Sequence, residues 1–282
     1  MNGSNCGYDG DPRQAVVRLE AFRHRVPEHA IEVAESCWRY RRTDAPGVPL
    51  ILLPGIQGTG DVFFELAIAL GEEVDCVTTT APPITDAEVM ADSQALFMDA
   101  VGIDRADLFG SSLGGYFAQV FALRHADRVR QIFLANTFYD PAPFLAGMPP
   151  AAQFVDMPAD TLTAQNMKTM LDPPATEPGQ MALQAVMRAQ VGPVQTASAY
   201  KSRFMALLRA HGIPRIPIAI GNIVLIDDDW DTMIPAGMRT AMRDRYAGAE
   251  HHMIAGGGHM PAIQRPRTVE RILRAREHRY TI

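Results

Sequence analysis

The sequence predicts an α/β protein with a mostly parallel central sheet, helices on both faces, and an inserted helical cap. Three observations carry that expectation. Apolar runs at residues 50–53, 74–79, 103–109 and 129–135 alternate with stretches of helical periodicity, the rhythm of a parallel sheet built through right-handed crossovers. At one strand-to-helix junction, Leu108-Phe109-Gly110-Ser111-Ser112-Leu113-Gly114-Gly115, glycines crowd around serine. The rhythm then stops after Asn136 and resumes near Ile216, across a proline-rich stretch of helical character.

Taken in order, residues 1–14 are rich in Asn, Gly and Asp and read as a flexible leader. Residues 31–40 partly alternate and predict one antiparallel strand near the sheet edge. The continuous apolar run over 48–55 suits a strand buried on both faces. A glycine loop over 56–60 leads to a helix over 61–70 with Asp61 as its N-cap. The β-branched run 74–79 precedes a helix over 86–101 capped by Thr85 or Asp86. Residues 138–213 form the predicted cap, which leaves 15–137 and 214–282 as the core. Met148, Met157, Met167, Met170, Met181, Met187 and Met205 suggest a plastic apolar roof. The sheet resumes over 216–226, long for one strand, followed by a helix near 236–246, a short strand near 252–254 and a final helix from about Arg267. Arg267, Arg271, Arg274, Arg276 and Arg279 on that helix read as a solvated face.

At 282 residues and 47% hydrophobic content, the chain is able to bury a sizeable core. A formal net charge of -6 argues against nucleic acid and against an anionic membrane surface, since both select basic surfaces. No apolar run approaches bilayer length. Residues 1–14 lack the basic start, apolar middle and small-residue cleavage site of a secretion signal. Cys6, Cys37 and Cys76 are scattered without ligand spacing. These features predict a soluble cytoplasmic protein with reduced thiols, no disulfide, no zinc site and no membrane insertion. The expected partner is a small molecule, and the sequence is silent on oligomeric state.

The serine junction carries the chemistry. Only Ser112, flanked by Gly110 and Gly114, satisfies G-x-S-x-G; Ser111 does not. A serine on such a turn is strained, and its neighbours must be small for helix and strand to approach. The amide of Leu113 and the positive end of the following helix then face whatever is bonded to the serine oxygen. A serine hydroxyl needs a base, and the base needs a third group to fix its tautomer. After the late strand, Asp227-Asp228-Asp229-Trp230-Asp231-Thr232-Met233-Ile234-Pro235 offers the acid: Asp231 first by its spacing to Pro235, then Asp229, with Asp227 or Asp228 as solvated surface and Asp140 as an outside candidate. Gly256-Gly257-Gly258-His259 follows the last strand and makes His259 the expected base. The other histidines have no comparable setting. The second oxyanion donor is expected after strand 50–53, at the Ile56 amide beside Gly55, with the Gln57 side chain as a possible addition.

Strand, elbow serine, acid loop and histidine loop, in this order, resemble the α/β-hydrolase superfamily over the whole ordered chain. Within it, Leu52-Leu53-Pro54-Gly55-Ile56-Gln57-Gly58-Thr59-Gly60-Asp61-Val62-Phe63-Phe64, the serine junction and Ala135-Asn136-Thr137-Phe138 resemble the maspardin group. The broader resemblance implies an α/β-hydrolase fold and a serine hydrolase, without cofactor, that cleaves an ester, thioester or related acyl bond of a small, partly apolar substrate through an acyl-enzyme on Ser112. The narrower one implies a protein-binding module with little or no catalysis. The animal maspardin is taken to lack the histidine, so His259 is a departure in favour of catalysis. A third expectation keeps the same residues for hydrolysis of a C–C bond or for lyase chemistry.

Overall fold

The computed structural model describes Tyr8, residues 10–190 and residues 194–277. Among the described residues, eight strands form one sheet: β1 (His29–Val33), β2 (Ser36–Arg42), β3 (Leu50–Leu53), β4 (Cys76–Thr80), β5 (Ala106–Ser111), β6 (Val129–Ala135), β7 (Ile223–Asp228) and β8 (Glu250–Ile254). Their spatial order is β1-β2-β4-β3-β5-β6-β7-β8. β1 and β2 pair antiparallel, as do β2 and β4, and every pairing from β4 to β8 is parallel. The core helices are α1 (Ala15–Arg25), α2 (Phe64–Leu70), α3 (Ala87–Ala100) and α4 (Leu113–Arg124). Between β6 and β7 the chain is helical: α5 (Ala142–Leu145), α6 (Ala152–Val155), α7 (Ala159–Leu171), α8 (Pro178–Gln190) and α9 (Ala197–Arg209). α10 (Ala236–Arg245), α11 (Pro261–Gln264) and α12 (Pro266–Glu277) complete the described fold. No helix among the described residues is long and apolar enough to cross a membrane.

The strands are apolar along their length because alternate residues feed two different cores. Leu52, Phe109, Phe133, Val224 and Ile226 pack on one face with residues of α1, α2, α8 and α12. Ile51, Leu53, Leu108, Ile132, Leu134 and Leu225 pack on the other with residues of α3, α4 and α10.

Several elements differ from the sequence expectation. The single strand over 31–40 is a hairpin, β1 and β2, turning through Ala34 (φ 47°) and Glu35 (φ 62°). Two-residue hairpin turns require positive φ, and here neither position is glycine, asparagine or aspartate, so no turn signal marks the break. Asp61 does not cap a helix. It lies inside a short 3₁₀ turn, Gly60–Phe63, with only 2% of its surface exposed. There it accepts from Arg23 Nη2 at 2.7 Å and from Arg41 Nε at 2.9 Å. The long run 216–226 becomes a strand only at Ile223, after a 3₁₀ turn over Ile220–Asn222. Arg276 is buried rather than solvated, bonded to Gln131, Glu250 and the Gly221 carbonyl, while Arg274 pairs with Glu270 and Glu73. Arg279 lies outside the described residues. Of the expected leader, residues 1–7 and 9 lie outside them too. Tyr8 is buried and donates to Glu65, and Asp11 caps a turn over Pro12–Gln14.

The Asp61 cluster ties α1 and β2 to the loop after β3. Replacing one partner of a buried ion pair leaves its mate uncompensated, which costs about 3–5 kcal/mol. Asp61→Asn is expected to lower the unfolding free energy by about 3 kcal/mol, measured by urea denaturation; a loss below about 1 kcal/mol, the range of exposed pairs, contradicts this role.

Candidate active site

Five strands deliver their carboxyl ends to one place, the edge at which open parallel sheets present ligand sites. β5 ends at Ser111, and Ser112 turns the chain into α4 with φ 55° and ψ -126°. A non-glycine residue with positive φ is strained, and the surroundings hold it there. The Ser112 amide donates to Ala135 O at 3.0 Å, and its carbonyl accepts from the Thr137 hydroxyl at 2.6 Å and the Gly115 amide at 2.9 Å. A Cβ on Gly114 would lie 2.1 Å from Leu53 O, so only glycine lets α4 start against the end of β3. Leu113 is the first residue of α4, where backbone amides have no partner within the helix.

The loop after β3 makes the facing wall. Gly58 N donates to Gly55 O at 3.0 Å, which places Ile56 and Gln57 at the centre of a turn. A Cβ on Gly55 would lie 3.0 Å from Ser112 Cβ. The Ile56 carbonyl accepts from Arg203 Nε, on α9, at 3.0 Å. Gln57 is buried, and its Oε1 has no hydrogen-bond partner among the described residues.

His259 follows Gly256 (φ 68°) and Gly258 (φ 90°), both left-handed, while Gly257 leaves no room for a side chain beside Asp228 Oδ2. His259 Nδ1 lies 3.0 Å from Asp231 Oδ1. Since a carboxylate only accepts, the imidazole proton sits on Nδ1 and Nε2 is left as the acceptor. Asp231 Oδ1 also accepts from the amides of Met233 (2.8 Å) and Ile234 (3.2 Å), and Arg239 Nη1 donates to the Asp231 carbonyl at 2.8 Å.

The other carboxylates of the loop have separate partners. Asp229 Oδ1 accepts from Gly256 N at 2.7 Å, away from the imidazole. Asp227 and Asp228 are buried rather than solvated. Asp227 bonds Arg243 and His251. Asp228 accepts from Trp230 N and Gly257 N at 2.8 Å each; burial raises its pKa, against the lowering effect of these amides. Asp140 accepts from Ala142 N at the start of α5.

Ser112, Leu113, Ile56 and His259 line one cavity of about 590 Å³. Its remaining wall is mainly apolar, with Phe138, Phe144, Leu183, Leu207 and Ile234 among the contributors. Trp230 and Met233, each about half exposed, also line it. Methionine does not form the expected roof: of the seven cap methionines only Met170 lines the cavity. Met167, Met187 and Met205 are buried in packing, and Met181 is exposed. Prolines and glutamines, Pro173, Pro174, Gln180 and Gln184, take that place. Lys168 is exposed, and Lys201 is bound to the Val155 and Met157 carbonyls at 2.7 Å each. Among the described residues, no group of three or more His, Cys, Asp or Glu is placed to hold a metal ion.

The sequence assigns Asn136 no role at the site. It follows β6 with φ 42°, its Nδ2 donates to the carbonyls of Gly258 (2.9 Å) and His259 (3.1 Å), and its Oδ1 accepts from Asp228 N at 2.9 Å. One side chain therefore joins the histidine loop to the end of β7. The available signal was its type, since asparagine tolerates the left-handed region better than other side chains.

A family model described as "Alpha/beta hydrolase family" matches residues 50–272. Maspardin of Rattus norvegicus is 37% identical over 99 residues, 34% of this chain and 38% of maspardin. The 2-hydroxymuconate semialdehyde hydrolase of Pseudomonas putida is 35% identical over 75 residues, 27% of this chain and 25% of that enzyme. The matches thus span well under half the length of these relatives. Among solved structures, the enol-lactonase of Burkholderia xenovorans LB400 superposes with a TM-score of 0.69 at 18% identity, covering 88% of this chain and 98% of that one. At that identity the likeness speaks for the fold.

Asn136→Asp places a carboxylate oxygen against two carbonyls. It is expected to cost about 1–3 kcal/mol of stability, as for a broken buried hydrogen bond, and to broaden or shift the low-field proton resonance of His259 Nδ1–H. The resonance is assigned by its loss in His259→Gln. An unaltered resonance in Asn136→Asp contradicts the bracing role.

Proposed function

Because the chain belongs to the alpha/beta hydrolase family, we propose that it is a serine hydrolase cleaving an ester, thioester or related acyl bond of a small, partly apolar substrate. The observation that carries this reading is one arrangement: Ser112 on a strained strand-to-helix turn shares a cavity with His259, whose Nδ1 is held by Asp231. Nε2 of His259 takes the Ser112 proton as Oγ attacks the acyl carbon. The amides of Leu113 and Ile56 receive the negative charge that develops on the carbonyl oxygen. The imidazolium, stabilised by Asp231, returns the proton to the leaving group as its bond breaks, and an acyl-enzyme remains on Ser112. Water then enters and loses a proton to His259 as its oxygen bonds the acyl carbon; the bond to Ser112 Oγ breaks, the imidazolium returns the proton to Oγ, and the acid leaves. The catalytic residues of this reading are Ser112, Asp231 and His259, with Ile56 and Leu113 as the oxyanion hole.

A second reading uses the same residues for hydrolysis of a C–C bond. It is favoured by the match to the Pseudomonas putida hydrolase, since a 2-hydroxymuconate semialdehyde contains no ester or thioester and its hydrolysis must break another bond. The maspardin match keeps a protein-binding role as the third.

A fluorophosphonate probe is expected to label Ser112, and Ser112→Ala to abolish labelling; folded protein that resists the probe favours the binding role. His259→Ala should lower turnover by orders of magnitude with the fold intact. Asp231→Asn should lower it by about 10⁴-fold, on the precedent of another serine triad. Greater damage from Asp229→Asn transfers the acid role.

The apolar cavity also predicts a chain-length effect. For p-nitrophenyl esters, kcat/KM is expected to rise from acetate to hexanoate by up to about fourfold per methylene, the equivalent of about 0.8 kcal/mol retained in the transition state. A flat or falling series, with activity confined to charged or sugar-like esters, defeats this part of the reading.

A further inference from the structure

Arg203 sits on α9, in the cap, with 2% of its surface exposed. Its Nε bonds the Ile56 carbonyl, whereas Nη1 and Nη2 have no hydrogen-bond partner among the described residues. Burial pushes its pKa down to about 10, with the neighbouring Tyr200 opposing the fall, so the guanidinium is still charged at neutral pH. An apolar side chain of similar volume fills such a space without the desolvation penalty, so packing gives no reason for a charge here.

What a guanidinium adds is control of one peptide. The turn closed by Gly58 N and Gly55 O has the Ile56–Gln57 peptide at its centre. The commonest turn types differ in the orientation of that central peptide. Because the peptide is planar and trans, anchoring Ile56 O also aims Gln57 N–H, and it restrains the backbone of the residue whose own amide serves as oxyanion donor.

The geometry points to Arg203 as a positioning residue of the oxyanion hole, a cap-borne guanidinium that locks the Ile56–Gln57 peptide and so couples the seating of the cap to the donor loop. Its catalytic consequence rests on the serine-hydrolase reading; the lock itself does not. With the lock removed the central peptide is free to rotate and the backbone of Ile56 is no longer restrained; its amide, which belongs to the preceding Gly55–Ile56 peptide, loses its fixed aim as the turn slackens, and the barrier to forming the oxyanion rises. Substrate binding is affected far less, because Arg203 is not among the residues lining the cavity.

Arg203→Met tests this, with Arg203→Lys as the variant that keeps a charge and a donor. Arg203→Met should retain the wild-type Tm, while hydrogen–deuterium exchange of the 55–58 segment accelerates by about tenfold or more. Fluorophosphonate labelling of Ser112 and kcat for p-nitrophenyl butyrate should both fall by about ten- to a hundredfold, below the loss from deleting an oxyanion donor outright. KM should stay within about twofold, the mark of an interaction made only in the transition state, and Arg203→Lys should recover part of the rate. Unchanged exchange over 55–58 overturns the lock. Faster exchange with wild-type labelling and kcat overturns the oxyanion role and leaves the serine-hydrolase reading standing. Wild-type protein whose Ser112 resists the probe defeats that reading, and the oxyanion role with it, while exchange still decides the lock. Should Arg203→Met fail to fold, Arg203→Gln carries the same measurements.

Discussion

The contact on which the rest depends is the approach of α4 to the end of β3. At Gly114 there is no room for even a methyl group beside Leu53 O, and at Gly115 a Cβ would strike the Thr137 side chain. That closeness forces the chain to reverse within a single residue, Ser112, and the reversal is what gives Ser112 its positive φ. The strain is held by bonds from both flanks, Ala135 O on the Ser112 amide and the Thr137 hydroxyl on its carbonyl. A serine placed this way has lost its local freedom before any ligand arrives, and in the proposed reaction freedom already removed does not have to be removed as Oγ attacks.

The same strand ends are held together by polar groups inside the protein. Asn136 bonds three backbone groups of two different segments, Asp228 accepts the amides of Trp230 and Gly257, and Arg239 bonds the carbonyls of Asp231 and Ile234. Buried backbone groups of irregular loops need such partners, because the ladder that satisfies them in the sheet has ended. The histidine and acid loops are therefore ordered by side chains that take no part in the proposed chemistry. This explains why a run of four carboxylates within five residues divides into separate tasks: Asp227 binds Arg243 and His251, Asp228 and Asp229 bind the glycine loop, and Asp231 meets His259.

The cap stands in two relations to this site. Through Phe144, Leu183 and Leu207 it supplies apolar wall to the cavity, and through Arg203 it reaches the loop after β3. The wall suits recognition of an apolar group by area. The guanidinium acts on a backbone group and has directional requirements that a methionine roof would not have.

The sequence alone determined the parallel core and the serine junction, and it singled out Asp231 and His259, which the structure brings within hydrogen-bond distance of each other; these depend on local signals: apolar runs of strand length, glycines where only glycine fits, and a carboxylate and an imidazole each set just beyond a strand. The hairpin turn at Ala34 and Glu35 was invisible because its left-handed conformations are imposed by strand pairing, not by residue type. The tertiary structure also decided the charges. Asp61 reads as a helix cap and Arg276 as a surface residue in one dimension, and Arg203 carries no local signal; all three are buried because groups far along the chain meet them: Arg41 for Asp61, the Ile56 carbonyl for Arg203, and Gln131 and Glu250 for Arg276. Burial of a polar group is settled by such distant partners, which no local pattern encodes. Asn136 shows the limit most clearly: its type was compatible with its backbone, but its role depends on Gly258 and His259, 122 and 123 positions away.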